Sequence, residues 1–164
     1  QLKIKFLLGR RLEEVDHLKY LGVTFDRHLK WNRHIANITQ KASQLVNALS
    51  RSAGVYWGMK SEALEVIYRG AVVAILTYAA PVWADAMRYQ CNVRTMRRAQ
   101  RLMLLRMIKG VRTISFQACC MIAGVKPIEL EVDELARLYG LQGGENVDRP
   151  LPPRDWSHPA RVVD

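Results

Sequence analysis

The first 30 residues place apolar and polar positions in short runs, a pattern typical of β-strands. Residues 3–8 alternate and then become apolar, and a turn is predicted at residues 9–11. Further strands are predicted at residues 12–15 and 18–25, where Gly22 indicates a bulge or the close approach of another backbone. Two or three such strands are marginal alone, so the pattern predicts a small antiparallel element that needs another surface to lie on.

From residue 31 the apolar positions recur every three or four residues, which predicts helices. The first helix has roughly 20 residues and is broken by the glycines at 54 and 58. The second begins with Ser61 as its N-cap and is apolar on nearly all sides between residues 71 and 84, which predicts a central buried helix. Pro81 is expected to kink or end it, and Tyr78 and Trp83 are predicted to lie in the core.

Three more helices follow. One runs from a cap at Asn92 to about residue 109, a short one is capped by Thr113 or Ser115, and Pro127 opens the last. In the first of these, a helical projection places the apolar side chains opposite the basic ones. The predicted apolar face holds Val93, Met96, Met103, Leu104 and Met107.

These patterns divide the chain into three parts. Residues 1–30 hold the strands, and residues 31–142 hold the helices. Residues 143–164 contain four of the six prolines and are predicted to be a linker or a disordered tail. The predicted fold class is α+β and mainly α, with a small N-terminal antiparallel strand element, a helical bundle and a Pro-rich tail.

The composition narrows the class of protein. With 164 residues, 49% of them hydrophobic, the chain can bury a core and is not disordered overall. Cysteines 91, 119 and 120 match neither a disulfide framework nor a metal site, and they indicate reduced thiols in an intracellular protein. No signal peptide is visible, and the longest apolar run, residues 71–84, is too short to span a bilayer. A chain that begins with Gln1 is expected to be a piece of a longer polypeptide.

The formal net charge of +10 is concentrated in one block. Residues 86–128 contain nine basic side chains and no acidic one, whereas the rest of the chain is nearly neutral. Such a block favours binding to a polyanion, with a solvated helix face as the alternative. The basic residues predicted to contact a nucleic-acid backbone are Arg94, Arg97, Arg98, Arg101, Lys109 and Arg112.

The sequence contains no recognisable catalytic constellation. The four histidines, at positions 17, 28, 34 and 158, lack partners at metal-ligand spacing, and they are predicted to be surface or capping residues. No phosphate-binding glycine motif is present. On its own residues, the chain is predicted to have no catalytic and no metal-binding residues and to bind no cofactor.

Five ordered blocks resemble the reverse transcriptases of non-LTR, LINE-type retrotransposons, and most closely the jockey-like group that includes arthropod elements inserted in ribosomal DNA. The first block is residues 18–26 (LKYLGVTFD) with Trp31, His34 and Ile35. The others are Tyr68 with residues 75–83 (ILTYAAPVW), then Gln100–Arg101, residues 110–115 (GVRTIS) and residues 123–127 (AGVKP). Together the blocks cover roughly residues 10–140.

The resemblance implies a place within a Pol polyprotein. The strands would be the end of the palm and the primer grip, with Tyr20, Leu21, Gly22 and Val23 near the primer terminus, and the helices would form the thumb. The partners would be the RNA template, the DNA primer and the upstream palm, with no membrane, and the site of action would be nuclear. The parent would be an RNA-directed DNA polymerase, a nucleotidyltransferase, with Mg²⁺ and an endonuclease elsewhere in the chain. The metal-binding aspartates of the family are absent here.

Two other functions remain open. Residues 92–109 and 114–123 could form a helix-turn-helix in a free-standing basic nucleic-acid-binding module, although the exposed face of the first helix lacks the Asn and Gln side chains that read bases. The basic amphipathic helix could also lie on a membrane surface. Base-specific binding would favour the first alternative, and binding to anionic vesicles would favour the second.

Overall fold

The strands form two hairpins in the computed structural model, which describes residues 6–7, 10–11, 15–52 and 60–142. β1 (Phe6–Leu7) pairs antiparallel with β2 (Arg10–Arg11), and β3 (His17–Tyr20) pairs antiparallel with β4 (Val23–Asp26). The turn predicted at residues 9–11 is wrong for Arg10 and Arg11, which pair as a strand, and residue 9 lies outside the described part of the chain. Most of the strands predicted at residues 3–8 and 12–15, the glycines at 54 and 58, and the predicted tail at 143–164 lie outside the described residues.

Helices make up most of the described chain, which confirms the α+β, mainly α fold class. The α-helices are α1 (Asn32–Ser52), α2 (Ser61–Ile67), α3 (Val73–Leu76), α4 (Ala80–Trp83), α5 (Gln90–Met107), α6 (Phe116–Ala123) and α7 (Ile128–Gln142). A π-helical turn at Tyr68–Val72 joins α2 to α3, and a 3₁₀ turn at Ala84–Arg88 follows α4. Helix α1 packs along α5, and α7 packs against α4 and α5.

Of the polar residues predicted to cap helices, one forms the cap and two form tertiary hydrogen bonds instead. Ser115 caps α6 as predicted, because its hydroxyl accepts a hydrogen bond from the Ala118 N–H. Asn92 is no cap: it lies buried inside α5 and donates to the carbonyl oxygens of Lys30 and Ala86. Ser61 is also no cap, since its hydroxyl donates to the Met107 carbonyl oxygen and ties α2 to the end of α5.

The segment predicted to be a single buried helix is broken and exposed on one side. The backbone leaves the helix at Thr77, Ala79 adopts a left-handed φ of 54°, and Pro81 lies in the first turn of α4. Pro81 therefore begins a new helix instead of ending the old one. Trp83 is fully buried as predicted, but Tyr78 is 51% exposed, so its assignment to the core is wrong.

The core lies between α1, α5 and the segments that cross them. Its largest fully buried apolar side chains are Trp83, Ile35, Leu76, Met96, Met103, Leu104 and Ile128. The predicted apolar face of α5 is confirmed, since all five of its side chains are buried. The basic side chains of α5 must therefore lie elsewhere on the helix.

A buried amide joins three elements of this core. Gln100 is fully buried, and its Nε2 donates to the Tyr68 hydroxyl and to the Lys126 carbonyl oxygen, both at 2.7 Å. Its Oε1 accepts from the Ile128 N–H, which is an orphan donor at the start of α7. Burial raises the pKa of Tyr68 to about 12, so its hydroxyl keeps its proton at neutral pH.

Among the described residues, no single helix is long and apolar enough to cross a membrane. The stretches 61–76 and 80–88 reach that length and composition only as a pair, which is bent by 44°.

Replacing Trp83 by alanine should destabilise the fold strongly. The side chain is fully buried and its Nε1 donates to the Tyr78 carbonyl oxygen at 2.8 Å, so both packing and a hydrogen bond are lost. We expect Trp83→Ala to lower the free energy of unfolding in urea by about 3–5 kcal/mol. The control is Val82→Ala at the exposed neighbouring position, where a change within about 0.5 kcal/mol is expected. Equal effects of the two substitutions would contradict the burial of Trp83.

Candidate nucleic-acid interface

The turn between β3 and β4 is a tight two-residue turn. Leu21 and Gly22 both have positive φ, 44° and 81°, as in the type I′ turns that fit the twist of two-stranded hairpins. The predicted bulge is thus a turn, and the group that approaches Gly22 is a side chain and not the predicted backbone: a Cβ there would lie 3.1 Å from Cε1 of Tyr78. The Tyr78 hydroxyl also donates to the Leu21 carbonyl oxygen at 3.0 Å, so the exposed tyrosine fastens the turn to the helices.

The four residues predicted at the primer grip divide between two environments. Tyr20 and Leu21 are 62% and 74% exposed, and Gly22 is also exposed. Val23 is buried and belongs to the core. The hairpin therefore leaves Tyr20 and Leu21 exposed, while Val23 packs into the core.

The carboxylate of Asp26 organises the connection from the hairpin to α1. Oδ1 accepts from the N–H groups of His28 and Lys30, and Oδ2 accepts from that of Trp31 at 2.6 Å. These contacts hold a loop in which Leu29 and Trp31 both have positive φ. Although desolvation opposes ionisation, the three backbone donors lower the pKa of Asp26 below its ordinary value.

His34 is fully buried between the hairpin and the helices, so its assignment to the surface or to a cap is wrong. Its Nδ1 accepts from the Thr24 N–H at 3.3 Å, and its ring lies 5.6 Å from the Trp83 ring. The proton of the neutral ring is assigned to Nε2, since Nδ1 accepts. Desolvation, with a smaller contribution from Lys41, lowers the pKa of His34.

The six predicted backbone-binding residues fall into two groups. Four are exposed, and their side chains make no hydrogen bond or ion pair within the described part of the chain: Arg94, Arg98, Lys109 and Arg112. The other two, Arg97 and Arg101, make internal contacts. The structure therefore does not bring all six together as one unoccupied face.

Arg97 and Arg101 hold neighbouring elements against α5. The Arg97 guanidinium donates to Oε1 of Glu129 at the start of α7 and lies 5.3 Å from the centre of the Phe116 ring. This hydrogen bond to Glu129 raises the pKa of Arg97. Arg101 donates to the carbonyl oxygens of Arg112 and Ile114 and so fixes the loop after α5. Arg101 thereby fixes the backbone of Arg112, one of the four exposed cations.

Two features of the site escaped the sequence analysis. One is Glu129, the partner of Arg97. Its position as the first acidic residue after the basic block is the only feature of the sequence that indicates this ion pair. A second acid-free stretch, residues 27–61, was missed because the charges outside residues 86–128 were added together, and their sum is nearly zero. It contains all of α1.

The side chains that the structure describes do not form a metal site. Among the described residues, no group of three His, Cys, Asp or Glu side chains could hold a metal ion. The Asp26 carboxylate accepts hydrogen bonds from three backbone N–H groups. The described cysteines are free thiols, and Cys119 and Cys120 are buried. The arrangement can bind anions through its cations, and no catalytic step follows from it.

Comparisons with known proteins identify relatives. The chain is 34% identical over 148 residues to a 115 kDa protein in the type-1 retrotransposable element R1DM of Drosophila melanogaster, a match that covers 90% of this chain and 14% of that protein. It is 30% identical over 147 residues to a retrovirus-related Pol polyprotein from the type-1 retrotransposable element R1 4 of Nasonia vitripennis, covering 90% of this chain and 37% of the relative. A Pol polyprotein from element R1 of Bradysia coprophila is 28% identical over 138 residues, which are 84% of this chain and 14% of that relative.

The chain thus spans only a minor part of these relatives. No protein-family model and no solved structure matches it.

Asp26→Asn should loosen the hairpin from the bundle. The amide would present an N–H group where the Trp31 N–H now donates, so a charge-assisted bond is lost. We expect the free energy of unfolding to fall by about 1.5–3 kcal/mol. The control is Asp85→Asn, whose carboxylate is exposed and paired only with Arg88, with an expected change within about 0.5 kcal/mol. Equal losses for both variants would rule out the organising role of Asp26.

His34 should make stability depend on pH in the mildly acidic range. Its pKa in the folded state lies below the unfolded value of 6.5, so folding favours the neutral ring. The contribution of His34 to the free energy of unfolding is complete above pH 6.5, and it is lost as the pH falls from 6.5 towards the pKa of the folded state. The free energy of unfolding, measured from pH 7.5 to 5, should fall less steeply for His34→Asn than for the wild type. Parallel pH profiles for His34→Asn and the wild type would contradict the lowered pKa of His34.

Proposed function

We propose that this chain is the segment of a reverse transcriptase that positions the template–primer duplex. The proposal is supported by the homology of the chain to part of the Pol polyproteins of insect R1 retrotransposable elements. The resemblance to non-LTR retrotransposon reverse transcriptases is confirmed by these relatives. In this proposal the β3–β4 turn lies at the primer strand, and the helical bundle acts as the thumb. The parent would act in the nucleus as an RNA-directed DNA polymerase that also carries an endonuclease.

The observation that carries the proposal is the exposed basic surface of α5 and its following loop. Arg94, Arg98, Lys109 and Arg112 are exposed without internal partners among the described residues, and no acidic residue lies between positions 86 and 128. Cations placed in this way contact phosphates, which fixes the register of a duplex without reading its bases. This chemistry suits an enzyme that must hold any template sequence.

The described side chains supply no ligand set for the Mg²⁺ that the family implies. The metal and the nucleotidyl transfer would therefore belong to another part of the polyprotein, and no step on this chain is derived through them. The contribution of this segment is binding and orientation.

The helix-turn-helix alternative fits the structure poorly. Helix α6, which would be the recognition helix, carries no cationic side chain, and its exposed residues include Met121 and Ile122. A membrane-surface role also fits poorly, because the apolar face of α5 is buried in the core and is not available to lipid. Base-specific binding would favour the helix-turn-helix, and binding to anionic vesicles without binding to a duplex would favour the membrane surface.

The test is the salt dependence of binding to an RNA–DNA hybrid and to duplex DNA. Each phosphate contact releases counterions, so Arg94→Ala and Arg98→Ala should each weaken binding and reduce the log–log salt slope by about one. The losses should be similar for unrelated base sequences. Arg69→Ala, which removes an exposed arginine paired with Glu65 on α2, is the matched control and should leave the slope unchanged.

Arg97→Ala serves as a second comparison. Because Arg97 is paired with Glu129, this substitution should reduce stability by leaving a partly buried carboxylate without its partner. An unchanged slope for both Arg94→Ala and Arg98→Ala would contradict the proposed surface, and a loss confined to one base sequence would favour the helix-turn-helix.

A further inference from the structure

Ser115 has an exposed hydroxyl within the basic block. It precedes α6 with an extended backbone (φ −64°, ψ 159°), and its Oγ accepts a hydrogen bond from the Ala118 N–H at 3.2 Å. The hydroxyl donates no hydrogen bond to another of the described residues. Both the oxygen and its proton are therefore open to a reagent from solvent.

Arginine side chains lie on the segment that carries this hydroxyl. The Arg101 guanidinium donates to the Ile114 carbonyl oxygen, which belongs to the peptide that joins Ile114 to Ser115. Arg112 is exposed, and its side chain makes no hydrogen bond or ion pair with the described residues. Desolvation, with a smaller contribution from the charge of Arg112, lowers the pKa of Arg106. These like charges lie near one another without a carboxylate between them in the sequence, so the surroundings of Ser115 favour an anion.

The spacing of Arg112 and Ser115 matches the charge pattern of a substrate for an arginine-directed protein kinase. Such kinases recognise a basic side chain a few residues before the acceptor hydroxyl, commonly an arginine three positions before it. Of the eleven serines and threonines in the sequence, Ser115 and Ser157 have an arginine at that spacing. Within the part of the chain that the structure describes, Ser115 is thus the one acceptor with this arginine, and both side chains are exposed outside a helix.

We propose that Ser115 is a phosphorylation site for an arginine-directed protein kinase, and that its phosphate weakens the binding of nucleic acid to the exposed basic surface of α5 and its following loop. The Ser115 Oγ forms a bond to the γ-phosphorus of ATP, and the bond from that phosphorus to the β–γ bridging oxygen breaks. ADP leaves, and the hydroxyl proton passes to a base of the kinase. The effect on binding rests on the proposed function, whereas the modification does not.

The fold can accept a phosphate at this position. A phosphoserine oxygen can accept from the Ala118 N–H in place of the hydroxyl, so the cap of α6 is kept. Negative charge is favourable at the start of a helix, and Arg101 and Arg112 supply cations beside it. The added charge of about −2 then offsets about half of the four exposed cations of the basic surface. Phosphorylation should therefore leave α6 intact while it reduces the attraction for a duplex.

The first experiment tests the modification. The full chain is incubated with the catalytic subunit of cyclic-AMP-dependent protein kinase and ATP with Mg²⁺, and the modified positions are mapped by tandem mass spectrometry. A synthetic peptide of residues 109–118 is the control for recognition of the sequence. We expect phosphate on Ser115 in both, and we expect Arg112→Ala to slow modification of the full chain at Ser115 by about tenfold or more, because a charge-assisted contact with the kinase is lost.

Three results of this experiment would overturn the site. They are an unmodified peptide, a modified peptide with an unmodified full chain, and equal rates for the wild type and Arg112→Ala. The backbone carbonyl of Arg112 stays available to Arg101 in the alanine variant, so the loop should keep its conformation.

The second experiment tests the effect on binding with a matched pair of variants. Ser115→Asp and Ser115→Asn both keep a good N-cap for α6 and differ by one charge. Their affinity for a fluorescein-labelled RNA–DNA hybrid is measured across a salt series, together with the wild type before and after phosphorylation. We expect Ser115→Asn to behave like the unmodified wild type. Ser115→Asp should weaken binding and reduce the log–log salt slope by about one, and phosphorylation by about two. Circular dichroism checks that helix content is unchanged.

The outcomes separate this inference from the proposed function. If Arg94→Ala and Arg98→Ala weaken binding while Ser115→Asp and the phosphorylated chain bind like Ser115→Asn, the effect of the phosphate is wrong and the proposed function stands. If the unmodified wild type does not bind the hybrid, the proposed function fails together with the effect on binding. The kinase reaction alone then decides whether Ser115 is a modification site.

Discussion

A two-stranded hairpin is not stable alone, and the interface described here depends on how this one is held against the helices. The Asp26 carboxylate fixes the exit of the hairpin by accepting three backbone N–H groups at the start of α1. At the other end, the Tyr78 hydroxyl and ring fasten the Leu21–Gly22 turn. Because both ends are held, Lys19 and Tyr20 keep a defined position relative to α1, which a nucleic-acid contact requires.

The basic side chains of α5 have two different functions in this account. Arg97 and Arg101 are used inside the molecule, where they hold α7 and the loop after α5. Of the exposed cations, Arg94 and Arg98 lie on α5 itself, and Arg112 lies in the loop that Arg101 holds. The backbone that carries these cations is ordered before a duplex arrives, so binding costs only the entropy of their side chains.

Periodicity predicted the elements whose stability comes from one apolar face. Helices α1, α5 and α7 and the buried face of α5 follow directly from the spacing of their apolar residues. Periodicity gave the wrong position for polar side chains that form hydrogen bonds with residues far away in sequence. Asn92 donates to the Lys30 carbonyl oxygen in the loop before α1, and His34 accepts from the Thr24 N–H. Tyr78 was misplaced because an apolar neighbourhood in sequence does not reveal that the ring lies at the surface beneath a turn. The basic block was visible in the sequence, but which arginines are paired internally depends on tertiary contacts.

In the proposed function, the hairpin side and the α5 side of this segment bind one nucleic-acid duplex together. This is tested most directly by the rate of lysine acetylation, measured residue by residue by mass spectrometry on the full chain with and without a bound RNA–DNA hybrid. We expect the hybrid to slow modification of Lys19 and Lys109 and to leave Lys60 unchanged, independently of base sequence. Equal rates with and without the hybrid at all three lysines would contradict the proposed contact.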